Sequence, residues 1–200
     1  MTASLKLTAL TPDYFDKTIA LGNRVHGDAY LTGEIIDKVY QKSLKDSLNC
    51  SYVMLDANAD NRLVGFRLTY APTKWQLDQW CSPDLWQIPI EQLCYFKSNT
   101  IDPDYRRQGI ARKLLSASIS AAEKLGAKGG ICHTWMQSPG NAAYEYFVHC
   151  GGQHLKTYEK RWLQDSIEGY RCIVCGDDAL CHCDAGEMIL YLITLDRLLL

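Results

Sequence analysis

The junction around Gly109 restricts the fold and function of this chain more than any other segment. A strand-like run ends at Ile101, Pro103 interrupts it, and apolar residues at helical spacing begin at Ile110. Between strand and helix lie Arg106, Arg107, Gln108 and Gly109. Such a junction offers unpaired backbone N–H groups, positive charge and an approach path without a side chain at a helix N-terminus. The sequence therefore predicts a binding site for a ligand that carries phosphates.

The spacing Arg106-x-x-Gly109-x-Ala111, preceded by Asp-Pro-Asp-Tyr, resembles the acetyl-coenzyme A loop of the GNAT superfamily of N-acetyltransferases. The dinucleotide-binding fingerprint differs, because it has three glycines at other spacings. Taken alone, the pattern is also compatible with an ordinary strand–turn–helix junction. The order of elements over about residues 5 to 162 extends the resemblance. It implies an α/β fold of the GNAT type, with a mixed, mostly antiparallel central sheet flanked by helices.

Hydrophobic periodicity and turn signals give the predicted elements. The predicted strands are Leu5–Leu10, Ser51–Asp56, Arg62–Tyr70, Leu93–Ile101, Gly130–Met136, Gln153–Trp162 and Met188–Leu200. The predicted helices run from about 13 to 25, 32 to 48, 109 to 125 and 139 to 149. The length of 200 residues suggests one domain, residues 1–200.

Composition excludes several classes of function. The net charge of −2 gives no electrostatic attraction for nucleic acid or for an anionic membrane surface. Met1–Lys6 has no apolar core of signal-peptide length, and Met188–Leu200 is too short and too charged to span a bilayer. The sequence therefore indicates a cytoplasmic protein.

The resemblance implies how acetyl-coenzyme A would be held. In this family the fourth strand diverges from the fifth, and its backbone pairs with the pantetheine arm while the helix N-terminus receives the pyrophosphate. The cofactor-binding residues are then Asn99, Ile101, Arg106, Arg107, Gln108, Gly109, Ile110, Ala111 and Asn141. The resemblance further implies that an acceptor amine, on a small molecule or a peptide, attacks the thioester directly. The alternatives are a non-catalytic acyl-coenzyme A binding or sensing module and an interaction protein that has lost the cofactor.

The residues that would move protons match the family pattern only in part. The position of a glutamate base in some members falls on Tyr95, and Glu91 lies about 13 Å farther along an extended strand. The family's tyrosine acid falls on Phe147, so a one-residue irregularity is needed to bring Tyr146 into place. His133 is a second candidate base. Each of these side chains has a packing role as its alternative.

A tryptophan-rich segment and a cysteine cluster lie outside the minimal pattern. The segment Ala71–Leu93 carries three tryptophans and either lines the acceptor site or fills the core or a homodimer contact. The cluster has the spacing Cys-x2-Cys-x5-Cys-x-Cys and consists of Cys172, Cys175, Cys181 and Cys183. Four thiolates fill a tetrahedral zinc site and leave no position for water, which predicts a structural zinc knuckle over 172–183, inserted before the last strand. Free thiols, a redox pair and His182 as a replacement ligand are the alternatives.

Overall fold

The computed structural model describes residues 4–176 and 179–192. Its strands are β1 Leu5–Ala9, β2 Leu44–Lys45, β3 Leu48–Asn49, β4 Tyr52–Asp56, β5 Arg62–Tyr70, β6 Leu93–Ile101, β7 Gly129–Trp135, β8 Gln153–Tyr158 and β9 Ala185–Tyr191. Its α-helices are α1 Phe15–His26, α2 Gly33–Ser43, α3 Ile110–Lys124, α4 Ala142–His149 and α5 Leu163–Ile167. The main sheet has the order β1-β4-β5-β6-β7-β9-β8. Strands β6 and β7 run parallel and the other neighbours antiparallel, which confirms the predicted fold class.

Three predicted boundaries are wrong or incomplete. Helix α2 ends at Ser43 rather than near residue 48, because Asp46 and Ser47 adopt positive φ angles of 48° and 64° and turn the chain into the β2–β3 hairpin. Strand β8 ends at Tyr158, and a turn at Lys160 with φ 51° leads into α5. The last strand starts at Ala185, and residues 193–200 of its predicted range lie outside the described residues.

The helices cover both faces of the sheet. Helices α1 and α2 pack Leu21, Ile36 and Val39 against Phe66 and Leu68 of β5. On the opposite face, α3 and α4 contribute Leu115, Ile119 and Phe147 to a second cluster with Phe96 and Met188. Burying a side chain of this size contributes about 1.5–3 kcal/mol, so the two layers hold the central strands rigidly. Within the described part of the chain, every helix is too short or too polar to cross a bilayer.

The sheet opens between β6 and β7. These strands pair only over Leu93–Tyr95 and Gly129–Ile131, although both continue beyond that point. A bulge at Lys97 shifts the register between β5 and β6, since Leu68 pairs with Ser98 and Thr69 with Phe96. The β6 backbone beyond Tyr95 therefore borders an opening instead of a neighbouring strand.

Candidate active site

The predicted phosphate loop forms a helix N-terminus that is open to a ligand. Gly109 precedes α3 in the left-handed conformation with φ 73°, and no side chain among the described residues caps the helix there. A Cβ added at Gly109 would meet no atom within 4 Å. Arg106, Arg107 and Gln108 are exposed beside it. The first-turn N–H groups of α3 thus face free space with positive charge nearby, as an anion site requires.

A buried carboxylate fixes the start of this loop. Asp102 accepts hydrogen bonds from Arg24 of α1 at 2.6 Å and from Arg62 of β5 at 2.7 Å. Burial opposes its ionisation, but the bonds from Arg24, the Asp104 N–H and Arg62 hold the pKa of Asp102 below its usual value. The charged carboxylate therefore ties α1, β5 and the loop together. Sequence analysis did not identify this group, because its partners are distant in the chain.

Several polar atoms of β5, β6 and the turn before α4 are buried and have no hydrogen-bond partner among the described residues. They are Nε and Nη1 of Arg67 and the Oδ1 atoms of Asn99 and Asn141. Arg67 stands opposite Asn99 in the β5–β6 register, and its guanidinium lies 4.7 Å from the Phe96 ring centroid. Unpaired buried groups are costly unless a ligand satisfies them. Donors and acceptors of this kind fit the amide-rich arm of acetyl-coenzyme A.

Gly109→Val should weaken acetyl-coenzyme A binding at least about tenfold, because left-handed strain of about 1–2 kcal/mol adds to a side chain in the approach path. The measurement is the rise in melting temperature with cofactor, together with calorimetry. Gly33→Ala is the matched control, since Gly33 also faces open space but its φ is not positive. A full thermal shift with Gly109→Val would contradict this placement of the cofactor.

Tyr95 and His133 meet at the point where the β6–β7 ladder ends. The Tyr95 hydroxyl lies 2.9 Å from Nδ1 of His133, and Nε2 of His133 lies 2.5 Å from the carbonyl oxygen of Trp80. A carbonyl only accepts, so Nε2 carries the proton and Nδ1 accepts from Tyr95. Burial lowers the pKa of His133, while the bond to Trp80 and the charge of Glu187 oppose that shift. Burial also raises the pKa of Tyr95 well above its usual value.

The other predicted catalytic residues lie apart from this pair. Glu91 is exposed in the short turn Ile90–Gln92 before β6. The Tyr146 hydroxyl donates a 2.9 Å hydrogen bond to the carbonyl oxygen of Ala111, between α4 and α3, and burial raises its pKa. The structure thus brings Tyr95 together with His133, but not with Glu91.

The tryptophan-rich segment packs into the core and also borders the Tyr95–His133 pair. Trp75 and Trp86 are buried, and their indole N–H groups donate to the Leu93 carbonyl at 2.7 Å and to Glu187 at 2.9 Å. Trp80 is half-buried, and its ring centroid lies 5.8 Å from that of Tyr158. The Arg161 guanidinium stands 5.1 Å from the Trp80 ring centroid. Trp80 therefore borders the Tyr95–His133 pair, whereas Trp86 belongs to the core.

The four C-terminal cysteines converge as their spacing predicts. All their Sγ atoms lie within 4.8 Å of one another, with Cys175 to Cys183 at 3.5 Å and Cys172 to Cys183 at 3.8 Å. Tetrahedral zinc with Zn–S bonds of about 2.3 Å needs S···S separations of about 3.8 Å. His182 is exposed, with Nε2 at 4.0 Å from Cys175 Sγ. All nine cysteines of the chain fall in the described ranges, and none of them forms a disulfide.

The cysteine cluster rests on the loop between α1 and α2. The partly buried rings of Trp135 and Trp162 pack against its buried cysteines. The Tyr170 hydroxyl donates to the His26 carbonyl at 3.1 Å, and the Arg171 N–H donates to the Asp28 carbonyl at 3.2 Å. The cluster therefore connects the β8–β9 segment to the α1–α2 loop as well as to the last strand.

Two charged residues inside apolar strands were missed by sequence analysis. Arg67 of β5 and Glu187 of β9 are 2% and 0% exposed, respectively. Charged side chains are rarely this buried unless a partner satisfies them. A charged residue within an otherwise apolar predicted strand was therefore the sequence signal that could have identified these two residues.

Comparison with known proteins supports the fold. The profile of the acetyltransferase (GNAT) family matches residues 24–151. No curated protein sequence matches the chain. Among solved structures, the ribosomal-protein-S18-alanine N-acetyltransferase from Escherichia coli is 16% identical, with a TM-score of 0.59 and coverage of 94% of this chain and 93% of that one.

Two further structures contain cofactor or an analogue. The acetyltransferase yncA from Salmonella typhimurium, described as putative and solved with acetyl-CoA, is 13% identical, with a TM-score of 0.64 and 94% coverage of both chains. Naa50 from Arabidopsis thaliana, in complex with the bisubstrate analogue CoA-Ac-MVNAL, is 12% identical, with a TM-score of 0.61 and coverage of 94% of this chain and 98% of that one. At identities this low, the structural matches show only that the fold is shared. The profile match, which spans well over half of the sequence, shows that the chain belongs to the acetyltransferase (GNAT) family of enzymes.

Proposed function

We propose that the protein transfers the acetyl group of acetyl-coenzyme A to a primary amine by direct attack. The observation that carries this proposal is the Tyr95–His133 pair at the end of the β6–β7 ladder. In the family that the sequence resembles, this is the part of the sheet that the pantetheine arm reaches. A proton acceptor therefore lies where an amine would meet a thioester.

The cofactor residues divide into two groups. The N–H groups of Arg107 to Ala111 and the charge of Arg106 would hold the pyrophosphate at the start of α3. The backbone of Asn99 and Ile101 would pair with the pantetheine arm, and the unpartnered atoms of Arg67, Asn99 and Asn141 add donors and acceptors beside it. When bound, acetyl-coenzyme A supplies an acyl group activated as a thioester.

Tyr95 and His133 can relay a proton in both directions. The proton of the attacking amine passes to Tyr95 Oη as the Tyr95 proton passes to His133 Nδ1. The imidazolium keeps its Nε2–H on the Trp80 carbonyl, so the ring does not rotate. The same path in reverse delivers the proton to the departing sulfur, which balances the reaction. Tyr146 and Glu91 remain predicted alternatives for the acid and the base.

We further propose that the cysteine cluster holds one structural zinc ion. The supporting observation is the S···S separation of 3.5–4.0 Å between neighbouring thiols, which matches a tetrahedral site. Four protein ligands leave no position for a substrate or water. The ion would therefore clip the β8–β9 segment to the fold, while the acetyl-transfer chemistry stays at Tyr95 and His133.

The acceptor is proposed to be a small-molecule or peptide amine. The bisubstrate analogue bound to Arabidopsis Naa50 carries an MVNAL portion in addition to coenzyme A. Neither nucleic acid nor a membrane is included among the proposed partners, and a homodimer and a cytoplasmic location are kept as predictions from the sequence.

A panel of amines, assayed for release of free coenzyme A from metal-replete protein, tests the function. Amine-dependent release is expected, together with acetyl-coenzyme A binding by calorimetry. Binding without turnover of any amine would favour the non-catalytic alternative. Absence of both binding and turnover would contradict the cofactor assignment itself. Gly109→Val serves as the negative control, because it should lose both signals together.

A further inference from the structure

Glu187 is a buried carboxylate that is only half satisfied. It lies in β9 and is fully buried. Its Oε1 atom accepts hydrogen bonds from the Ser82 N–H and the Trp86 indole N–H, each at 2.9 Å. Its Oε2 atom is buried and has no hydrogen-bond partner within the described ranges. An ionised carboxylate in such a place is costly unless a cation or further donors meet it.

The surroundings of Glu187 place it beside the proposed proton relay. Glu187 pairs with His133 across β9 and β7, so both side chains lie on the face that carries Tyr95. Burial and then the charge of Glu187 raise the pKa of Tyr158, whose hydroxyl is 2.5 Å from Ser82 Oγ, so the carboxylate lies close to Tyr158. Trp80, Cys81 and Ser82 above it are each only partly buried. The carboxylate is therefore covered by a segment that is itself partly exposed to solvent.

The protein itself provides no cation for Glu187 among its described residues. The nearby Arg161 forms ion pairs with Asp78 and Asp165 instead. A metal is disfavoured, although Cys81, His133 and Glu187 offer ligand atoms within 4.8 Å of one another. Both ring nitrogens of His133 are already hydrogen-bonded, and burial raises the pKa of the Cys81 thiol to about 12. A neutral thiol and an engaged imidazole are poor metal ligands.

We propose that Glu187 is the acceptor-binding residue, whose Oε2 atom receives the ammonium group of the incoming amine. This inference rests on the proposed acetyl transfer and specifies the acceptor as a cationic primary amine. The ammonium group supplies the donors that Oε2 lacks. Pairing at Glu187 would bring the nitrogen next to Tyr95. There the ammonium group gives one proton to the Tyr95–His133 relay before attack, and this proton later reaches the departing sulfur. The nitrogen releases its second proton to solvent as the amide forms.

The test compares cations with neutral molecules of the same shape. The probes are benzylammonium with benzyl alcohol and pentylammonium with 1-pentanol, titrated at pH 7 into protein saturated with coenzyme A and followed by calorimetry. The intact protein should prefer each cation at least about tenfold, the order expected for a desolvated charge pair. Glu187→Gln should reduce that preference to within about twofold. Gln retains an oxygen for Ser82 and Trp86, while Asp84→Asn removes an exposed charge from the same segment as control.

Equal binding of both cations and their alcohols to the intact protein would overturn the proposal, whether or not Glu187→Gln folds. A Glu187→Gln protein with unchanged melting temperature and unchanged cation preference would also overturn it. Acetyl-coenzyme A affinity, measured on coenzyme A-free portions of the same preparations, separates this outcome from failure of the proposed function. If the unmodified protein does not bind acetyl-coenzyme A, acetyl transfer itself is rejected. Normal turnover without a preference for the cation would reject only the role of Glu187.

Discussion

His133→Asn and Tyr95→Phe should each lower kcat by about 100- to 10,000-fold, the range typical of a lost general acid–base group. Tyr95→Phe removes one hydroxyl but keeps the ring that stacks on Tyr70 at 5.6 Å and contacts Trp75 at 5.3 Å. The fold and the acetyl-coenzyme A affinity should therefore survive. Steady-state kinetics with an amine identified from the panel measure the effect.

Tyr144→Phe is the matched control for the tyrosine substitution. Tyr144 packs on His154 and lies outside the Tyr95–His133 pair, so its hydroxyl should not affect kcat. A fall of less than about threefold in both His133→Asn and Tyr95→Phe, with folding intact, would reject the relay. A large fall in kcat in Tyr146→Phe alone would identify Tyr146 of α4 as the general acid.

The pH dependence of kcat/KM should show the titration of His133. His133 accepts the proton only when neutral, and burial lowers its pKa below the ordinary 6.5. Activity should therefore persist below pH 6.5 and be lost as the pH falls through the lowered pKa. His133→Asn should remove this acid limb from its residual activity. An inflection above pH 6.5 that persists in His133→Asn would assign the limb to another group.

The second large effect is expected at the cysteine cluster. Cys175→Ser should lower the zinc content from one ion per chain and cost about 3 kcal/mol or more of stability, because binding of a structural zinc is coupled to folding. For a chain of this length, that loss corresponds to a melting temperature about 6–12 °C lower. Elemental analysis of protein purified without chelator or an affinity-tag metal, with thermal unfolding, provides the measurement.

His182→Asn is the control at the cysteine cluster. His182 is exposed, so zinc content and stability should stay at their original values if the four thiolates are the ligands. A loss of zinc in His182→Asn would instead identify the histidine as a ligand. Substoichiometric zinc in the unmodified protein, with four freely reactive C-terminal thiols, would contradict the structural site. Loss of turnover in Cys175→Ser with folding and cofactor binding intact would bring zinc into the mechanism.

The sequence predicted features whose signals are local. The turn at Gly109, the following helix and the cysteine cluster each depend on a segment of about fifteen residues. The structure contains the turn and the helix, and the four cysteine side chains converge. The predicted end of α2 was wrong because apolar residues continue past Ser43. The turn at Asp46 depends on positive φ angles, which residue type alone does not predict at this position. Boundaries of this kind are decided by tertiary packing rather than by propensity.

The missed parts of the site depend on contacts between distant segments. Tyr95 and His133 were each candidates, but their contact follows from the parallel register of β6 and β7, which the sequence does not specify. Glu187 meets Ser82 and Trp86 only because the tryptophan-rich segment folds over β9. Local periodicity carries no information about such pairings.

The short β6–β7 ladder divides the sheet into two halves with a narrow junction. Strands β1, β4, β5 and β6 form one half, and β7, β9 and β8 form the other. Only three residue pairs, Leu93–Tyr95 with Gly129–Ile131, join them through the ladder. A ligand that pairs with β6 beyond Tyr95 would occupy the position of the absent neighbouring strand. The cofactor would then act as part of the architecture, and the cooperativity of unfolding between the two halves would rise when it binds.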